Sequence, residues 1–189
     1  MLYNILRVVL YPIFKLIFRL RFKNMPKDFG DDKLIICSNH VHLLDPLLLA
    51  VACKRKIHFL GKKELFKNKF FGKILLKLYV IPVDRQASDI RAIKSSLQVL
   101  KNNQVLGIFP EGTRVSDVSI ENIKTGIGYL AYKSESDILP IQIVGKYGLF
   151  KRMELVFKEK IKTSDYLNLP KSEAFEEITK DVYNSIYNK

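Results

Sequence analysis

The chain has 189 residues, of which 48% are hydrophobic and 27% are charged. This length and balance predict one folded domain with a sizeable core plus a short appendage, and they exclude a disordered chain. The formal net charge of +13 predicts anionic partners, such as nucleic acid, an acidic membrane surface or phosphorylated small molecules. The two cysteines, Cys37 and Cys53, lie in apolar runs without CxxC spacing, which indicates buried free thiols in a reducing compartment.

The first 22 residues are apolar and helix-like, but basic residues interrupt them. Arg7, Tyr11, Lys15 and Arg19 recur every four residues and so share one stripe of a helix. A charge near the centre of a bilayer costs roughly 2.5 to 3.5 kcal/mol, which disfavours a spanning helix. The pattern favours a helix that lies in the membrane interface, with its basic stripe against lipid phosphates. A core helix packed against the domain is the alternative.

Pro12 is expected to kink this helix or to divide it into two short ones. Residues 24–33 contain Pro26, Gly30 and two aspartates, which is typical of a hinge. We therefore predict membrane-binding amphipathic helices over residues 1–30 and a second domain over residues 31–189.

From residue 34 onward, short strand-like runs alternate with amphipathic, helix-like segments. The predicted strands are 34–37, 57–60, 80–83, 105–109, 138–144 and 153–157, and the predicted helices are 47–53, 88–101, 126–133 and 170–186. This alternation predicts an α/β domain with a mostly parallel sheet flanked by helices. Pro82 places its strand at an edge of the sheet, and Gly61 is expected to end the strand before it.

The turn between the first strand of this domain and its first helix carries His40 and, five positions later, Asp45. A carboxylate that accepts the Nδ1 proton of an imidazole fixes its tautomer and leaves Nε2 free to take a proton from a substrate hydroxyl. The alternative is structural: Asp45 and Pro46 also suit a helix start, as N-cap and first helical residue, with His40 an ordinary turn histidine.

A second candidate site follows the strand at 105–109. Gly112 allows a close backbone approach, Thr113 offers a hydroxyl and an amide, and Arg114 offers a guanidinium matched to phosphate oxygens. Glu111 could hold Arg114 or contact a ligand hydroxyl. Pro-Glu-Gly is also a common tight turn, which is the structural alternative.

Two other residues of reactive type have structural interpretations. Cys37 could act as a nucleophile with a histidine as its base, but nothing near it in sequence lowers its pKa, so a buried strand cysteine is favoured. His58 lies in an apolar run and is predicted to be a packed core histidine.

Four blocks occur in order along the chain. Asn39-His40 with Asp45 fits the pattern NHxxxxD, residues 79–85 fit GxxFxxR, residues 109–114 read FPEGTR, and residues 138–140 end in a proline. In these blocks the chain resembles the glycerophospholipid acyltransferase family, specifically its bacterial 1-acyl-sn-glycerol-3-phosphate acyltransferases.

The resemblance implies a glycerol-3-phosphate acyltransferase-like fold and a role for each matched residue. His40 would be the general base and Asp45 its orienting carboxylate, and Pro140 would shape the acyl-donor side. The acceptor's glycerol phosphate would be held by Arg85, Glu111, Gly112, Thr113 and Arg114. The resemblance also implies two short N-terminal helices on the membrane. The chain departs from the family at Tyr79, often glycine, which could alter the acceptor pocket, and at His42, commonly a small polar residue.

The implied activity is transfer of a fatty acyl group from acyl-CoA or acyl-acyl carrier protein to the sn-2 hydroxyl of 1-acyl-sn-glycerol-3-phosphate, giving phosphatidic acid. No metal and no cofactor beyond the acyl thioester is implied. The expected partners are an anionic phospholipid membrane, lysophosphatidic acid and the acyl donor, at the cytoplasmic face as a peripheral or monotopic protein. Nucleic acid is not expected, because no nucleic-acid motif is present. Another lysolipid acceptor, or a non-catalytic membrane- or anion-binding module, remains an alternative.

Overall fold

The computed structural model describes residues 2–84, 90–113, 119–120, 123 and 125–188, and these form a seven-stranded sheet with helices on both faces. The strands are β1 (Arg21–Lys23), β2 (Leu34–Ser38), β3 (Ile57–Lys62), β4 (Val80–Val83), β5 (Val105–Ile108), β6 (Asp137–Gly145) and β7 (Met153–Phe157). The helices are α1 (Leu2–Ile17), α2 (Asp45–Ala52), α3 (Lys69–Lys77), α4 (Ile90–Lys101), α5 (Gly126–Ser134) and α6 (Lys171–Tyr187). Short 3₁₀ turns lie at Lys63–Phe66 and Thr163–Tyr166.

The strand order is β1-β7-β6-β2-β5-β3-β4, and every neighbouring pair is parallel except β6 with β7. All five residues of β2 are buried, as expected for a strand covered by helices on both faces. The prediction of an α/β fold with a mostly parallel sheet is therefore confirmed. Strand β4, which contains Pro82, lies at the edge of the sheet as predicted.

Two strand predictions are corrected by the sheet. Strand β3 does not end at Gly61 but continues to Lys62, because Gly61 pairs with Pro82 of β4. Strand β1 was not predicted at all. It has only three residues and exists because it pairs with β7, so it carries no periodic signal of its own.

Helix α1 is one continuous helix, so the expected division at Pro12 is wrong. A proline in a helix leaves the carbonyl four residues earlier without its partner, here the carbonyl of Val8. Pro12 and Val8 both lie on the exposed side of α1, so this group is not trapped in the protein core. The helix therefore runs through the proline. Within the part of the chain that the structure describes, no helix combines the length and apolarity needed to cross a membrane.

One face of α1 packs on the domain. Tyr3 and Phe14 are buried, and the Tyr3 hydroxyl accepts a hydrogen bond of 3.1 Å from the backbone of Ile57. Arg7 donates to the carbonyl of Cys53 at 3.3 Å and to that of Lys54. Arg7 therefore does not extend outwards with the rest of the predicted basic stripe, because its guanidinium is turned towards the loop before β3.

The opposite face of α1 is apolar and exposed. Leu16 is 70% exposed and Val8 is 66% exposed. The other exposed apolar residues of the helix are Leu2, Ile5, Val9, Tyr11 and Ile13. The helix is thus a packed helix on one side, as the alternative interpretation held, and an unpartnered apolar surface on the other. Phe14, Phe18, Leu20 and Phe29 belong to the main core, so residues before and after position 30 share one core, and the division into two domains stays a prediction.

The two faces of the sheet carry separate cores. One core packs α1 and α2 against the sheet and includes Leu48, Ile57 and Phe157. The other packs α4, α5 and α6 against the opposite face and includes Leu106 and Ile178. Because β2, β5 and β6 start side by side in parallel register, their carboxyl ends meet at one edge of the sheet.

Gly107 in β5 is required by close packing. A Cβ at this position would lie 2.5 Å from Cδ1 of Phe59 and 2.7 Å from Cγ2 of Ile57. The Phe59 ring cannot move away easily, because it is buried and stacks on Phe109. Gly107→Ala should therefore lower the free energy of unfolding by about 1 to 3 kcal/mol, since overpacking outweighs the small entropic gain of removing a glycine.

The measurement is denaturant unfolding of the two purified proteins, with Gly126→Ala as the matched control. Among the residues that the structure describes, no atom lies within 4 Å of a Cβ built on Gly126. The same change there should therefore leave the free energy of unfolding unchanged or raise it slightly. Equal stability for the two variants would contradict the packing argument.

Candidate active site

The carboxylate of Asp45 stands directly behind the imidazole of His40. Nδ1 of His40 lies 2.9 Å from Oδ2 of Asp45, which confirms the predicted contact. The Asp45 side chain is fully buried, whereas that of His40 is 12% exposed. Nδ1 of the ring therefore faces the buried carboxylate, while part of the ring reaches the protein surface. With Asp45 as acceptor, Nδ1 carries the proton and Nε2 has a free lone pair.

Asp45 is fixed by four hydrogen bonds. The backbone amides of Val41 and His42 each donate to Oδ2 at 2.7 Å, and the Tyr147 hydroxyl donates to Oδ1. Burial and the bond to Asp45 raise the pKa of Tyr147 well above its ordinary value, so it remains a donor. Asp45 is not the N-cap of α2, because Leu44 holds that position and the carboxylate turns back towards the preceding loop. The helix does start here as the structural alternative held, but one residue earlier: Asp45 is its first residue and Pro46 its second.

The His40 ring is also held from its flat side. It stacks on Phe109 with ring centroids 4.2 Å apart, and Phe109 stacks in turn on Phe59 at 5.8 Å. Phe109 follows β5 and Phe59 lies in β3, so residues from two neighbouring strands pack under the face of the imidazole. Its orientation is therefore set by both a hydrogen bond and a packed surface.

Glu111 joins the two motif loops. Its Oε1 accepts a hydrogen bond of 3.0 Å from the backbone amide of His40 and another from the Tyr187 hydroxyl. The residue is only 5% exposed, and its Oε2 has no hydrogen-bond partner among the residues that the structure describes. One oxygen of Glu111 thus positions His40, and the other is left for the partner predicted from sequence, Arg114 or a ligand hydroxyl.

Gly112 and Thr113 form the end of a tight turn. Gly112 has a φ of +68°, and its amide donates to the carbonyl of Phe109 at 3.0 Å. That amide is therefore engaged in the turn, so the turn interpretation is confirmed, while Thr113 is exposed. Arg85 and Arg114 lie outside the described residues, so their predicted role at the phosphate stays a prediction.

Sequence reasoning missed the roles of three residues. The Asn39 side chain makes two hydrogen bonds with the backbone of Ile143, at 3.0 Å and 2.7 Å, and ties the end of β2 to β6. Tyr147 and Tyr187 reach Asp45 and Glu111 from 102 and 76 positions away. Asn39 belongs to the NHxxxxD block and could have been suspected. The two tyrosines give no local signal.

His42 holds the loop together. Its ring stacks on Tyr147 with centroids 4.0 Å apart, and its Nδ1 accepts a hydrogen bond of 3.2 Å from the amide of Leu44. Among the described residues, no carboxylate contacts its ring as Asp45 contacts that of His40. The geometry therefore favours His40 over His42 as a base.

Cys37 does not have the surroundings of a nucleophile. It is fully buried in the core under α4, α5 and α6, and burial, with a smaller contribution from the Glu111 carboxylate, raises the pKa of its thiol well above the usual value. His58 is buried as predicted for a packed histidine, with Nδ1 3.3 Å from the carbonyl of Val105, and burial lowers its pKa.

Tyr79 lies at the opposite edge of the sheet from His40, next to the start of β4. Its ring packs edge-on against Tyr3 and His58, at centroid distances of 5.8 Å and 5.0 Å. Tyr79 therefore lies away from the turn that carries His40, and its predicted effect on the acceptor pocket stays a prediction.

An apolar cavity of about 330 Å³ lies between α4 and α5, beside the turn that carries Glu111. Its wall includes Ala92 and Ile93 of α4, Ile127 and Leu130 of α5, and Phe109, the residue under the His40 ring. Among the described residues, no group of three or more histidine, cysteine, aspartate or glutamate side chains could hold a metal ion.

An α/β domain with a fixed histidine–carboxylate pair at the carboxyl edge of its sheet has the arrangement of an enzyme that uses a general base. The sequence model of the acyltransferase family matches residues 19–144. The chain is 34% identical over 164 residues to the 1-acyl-sn-glycerol-3-phosphate acyltransferase of Bacillus subtilis, covering 83% of this chain and 79% of that relative. The chain belongs to the acyltransferase family and is an enzyme of the O-acyltransferase class.

Two further comparisons agree with this family. The 1-acyl-sn-glycerol-3-phosphate acyltransferase of Streptococcus pneumoniae is 32% identical over 142 residues, which is 71% of this chain and 52% of that protein. The chain thus spans about half the length of that relative. The crystal structure of the 1-acyl-sn-glycerophosphate acyltransferase PlsC from Thermotoga maritima superposes with a TM-score of 0.73, at 19% identity, over 95% of this chain and 74% of that one. This likeness supports the fold.

Tyr147→Phe should lower kcat by about tenfold without a matching change in KM, because it removes one of the four hydrogen bonds that fix the Asp45 carboxylate. Steady-state kinetics of the purified variant measure this. Tyr166→Phe is the matched control, since the Tyr166 hydroxyl also donates to an aspartate, Asp181, in α6. If both variants keep the wild-type kcat, Tyr147 does not position the catalytic pair.

Proposed function

We propose that the protein transfers a fatty acyl group from an acyl thioester to the sn-2 hydroxyl of 1-acyl-sn-glycerol-3-phosphate, producing phosphatidic acid. The observation that carries this proposal is the contact of 2.9 Å between His40 and the buried Asp45, which presents a general base at the surface. The substrate is taken from the printed names of the relatives, including those from Bacillus subtilis and Streptococcus pneumoniae.

The chemistry needs a base but no protein nucleophile, because the acceptor supplies its own hydroxyl. Nε2 of His40 removes the hydroxyl proton while the oxygen attacks the thioester carbonyl. Asp45 stabilises the positive charge that develops on the ring. The carbon–oxygen bond forms, the carbon–sulfur bond breaks, and the proton held on His40 passes to the leaving thiolate. The reaction is therefore balanced without an added cofactor or metal.

Substrate positioning is proposed to rest on two features. The basic residues Arg85 and Arg114 are proposed to hold the acceptor's phosphate, with Glu111 and Thr113 beside it. The apolar cavity next to Phe109 is of a size and chemistry suited to part of an acyl chain. An acyl chain placed there would end close to the face of the imidazole, and such positioning contributes several kcal/mol to catalysis.

The exposed apolar face of α1 is proposed to lie in the surface of an anionic phospholipid membrane. An apolar helix face of this kind, left without a protein partner, binds lipid interfaces in other proteins. The apolar surface continues at Leu149 and Phe150, which are 74% and 65% exposed, and the Phe150 amide is bonded to the carbonyl of Ile17 at 2.7 Å. Exposed basic residues follow at Arg19, Arg21 and Lys23.

The acyl donor is proposed to be acyl-CoA or acyl-acyl carrier protein, both of which are cytoplasmic. We accordingly place the protein at the cytoplasmic face of the cell membrane as a peripheral or monotopic protein. No nucleic acid partner is proposed, and the basic surface is assigned to lipid phosphates and to the substrates.

His40→Ala should reduce acyl transfer by roughly 10²- to 10⁴-fold, because it removes the general base and leaves the packing of the turn largely intact. His42→Ala is the comparison variant in the same loop and should lose far less, at most the roughly tenfold expected for Tyr147→Phe, because it removes the ring that stacks on Tyr147 but not the base. Transfer rates of the purified proteins, normalised to folded protein, make the comparison. A His40→Ala enzyme near the wild-type rate would move the base elsewhere, and loss in His42→Ala alone would assign it to His42.

The substrate assignment is tested with a panel of lysolipid acceptors and paired CoA and carrier-protein donors, with products identified by mass spectrometry. We expect the fastest reaction with 1-acyl-sn-glycerol-3-phosphate and a product acylated at sn-2. Faster acylation of lysophosphatidylglycerol or a lyso-ornithine lipid would overturn the acceptor assignment. Absence of product from every pair, with folded protein, would contradict acyl transfer to a lysolipid.

A further inference from the structure

A second cavity, of about 420 Å³, lies at the amino edge of the sheet, where β3 and β5 begin. Four cationic residues line it: Arg7 from α1, and Lys54, Arg55 and Lys56 from the loop before β3. Since β5 has four residues, it separates this cavity from the catalytic edge by about 13 Å. The cavity is therefore distinct from the site around His40.

The two arginines of the cavity are held in place without losing their charge. Arg7 donates to the carbonyl of Cys53 at 3.3 Å, and Arg55 donates to the carbonyls of Asp32 and Asp31 at 2.6 Å and 3.1 Å. Backbone carbonyls fix a guanidinium but do not neutralise it. In the described part of the chain, the ion pairs within 4 Å involve other residues, and none of them joins these four cations to a carboxylate.

Tyr79 forms an aromatic wall of the cavity. Its φ is +63°, a left-handed conformation with which the chain leaves α3, and its amide donates to the carbonyl of Leu76 at 3.0 Å. The Lys56 ammonium lies 5.3 Å from the centre of its ring, within the range of a cation–π interaction. The Tyr79 ring thus holds the Lys56 ammonium at the cavity.

We propose that this cavity binds the phosphate group of an anionic phospholipid headgroup. Guanidinium and ammonium groups that converge on one cavity match the charge and oxygen geometry of phosphate. The lipid source is favoured because Asn4 and Arg7 belong to α1, and Asn4 stands next to Ile5 on the border of the exposed apolar face. A lipid with its chains along this face would bring its headgroup to the cavity. The proposal rests on the membrane-binding part of the proposed function, but not on the acyltransferase reaction.

The test compares two charge-matched double variants of the full-length protein. Lys54→Glu with Lys56→Glu reverses two exposed charges of the cavity and leaves both arginines in place. Lys133→Glu with Lys171→Glu reverses two exposed lysines on α5 and α6, on the face of the sheet opposite α1. The net charge changes equally in both, so a general electrostatic attraction to the membrane would weaken equally.

The first measurement is sedimentation with phosphatidylcholine vesicles that contain a minor fraction of phosphatidylglycerol. The cavity variant should lose affinity by about fivefold per lysine relative to wild type, whereas the control variant should lose clearly less. Equal losses in the two variants would overturn the proposal. Wild-type protein that does not bind the vesicles would overturn both the proposal and the membrane assignment of α1.

The second measurement separates lipid from free phosphate. Inorganic phosphate is titrated into isotopically labelled protein, and the amide NMR shifts of Lys54, Lys56 and Tyr79 are followed. Saturable shifts together with equal vesicle binding by both variants would assign the cavity to free phosphate and overturn the lipid source. Saturable shifts that disappear in the cavity variant, together with its selective loss of vesicle binding, support the proposal.

Acyl transfer in neutral detergent micelles is measured for the same proteins, because the cavity lies away from the catalytic pair. Both double variants should retain wild-type rates there. Wild-type protein without transfer activity would refute the proposed reaction, while the vesicle and NMR results would still decide the cavity's ligand. A cavity variant that loses micellar activity selectively would contradict the separation of the two sites.

Discussion

The active site depends on one buried carboxylate. Asp45 is fully buried, and a charge in that position is tolerated only because hydrogen bonds replace water. Its donors are the imidazole of His40, two backbone amides of the turn and the hydroxyl of Tyr147. Asp45 is also the first residue of α2, where the helix dipole favours a negative charge. The same group therefore sets the shape of the turn and the tautomer of the base.

The parallel sheet supplies the rest of the site by placing the ends of three strands side by side. Asn39 ties the end of β2 to Ile143 of β6, and the His40 amide ties the same turn to Glu111 beyond β5. The hydroxyl of Tyr187, near the end of α6, donates a hydrogen bond to the same Glu111 oxygen. An acyltransferase whose nucleophile comes from the acceptor needs little more from the protein than a fixed base and fixed substrates.

Helix α1 connects the two edges of the sheet. At its start Tyr3 contacts the backbone of Ile57, at the amino edge, and at its end Ile17 contacts Phe150, in the loop that also carries Tyr147. Its apolar face therefore runs between the basic cavity and the catalytic edge. A lipid surface on that face, as proposed above, would lie beside both.

The alternation of strands and helices, the family and the candidate pair of His40 and Asp45 could be predicted from the sequence, because periodicity and the four motif blocks are local signals. The structure decided what depends on distant contacts: the three-residue strand β1, the continuity of α1 through Pro12, and the inward direction of Arg7. It also decided the roles of Tyr147 and Tyr187, which reach the site across 102 and 76 positions. Such contacts form only when the sheet brings separate segments together, so no local pattern encodes them.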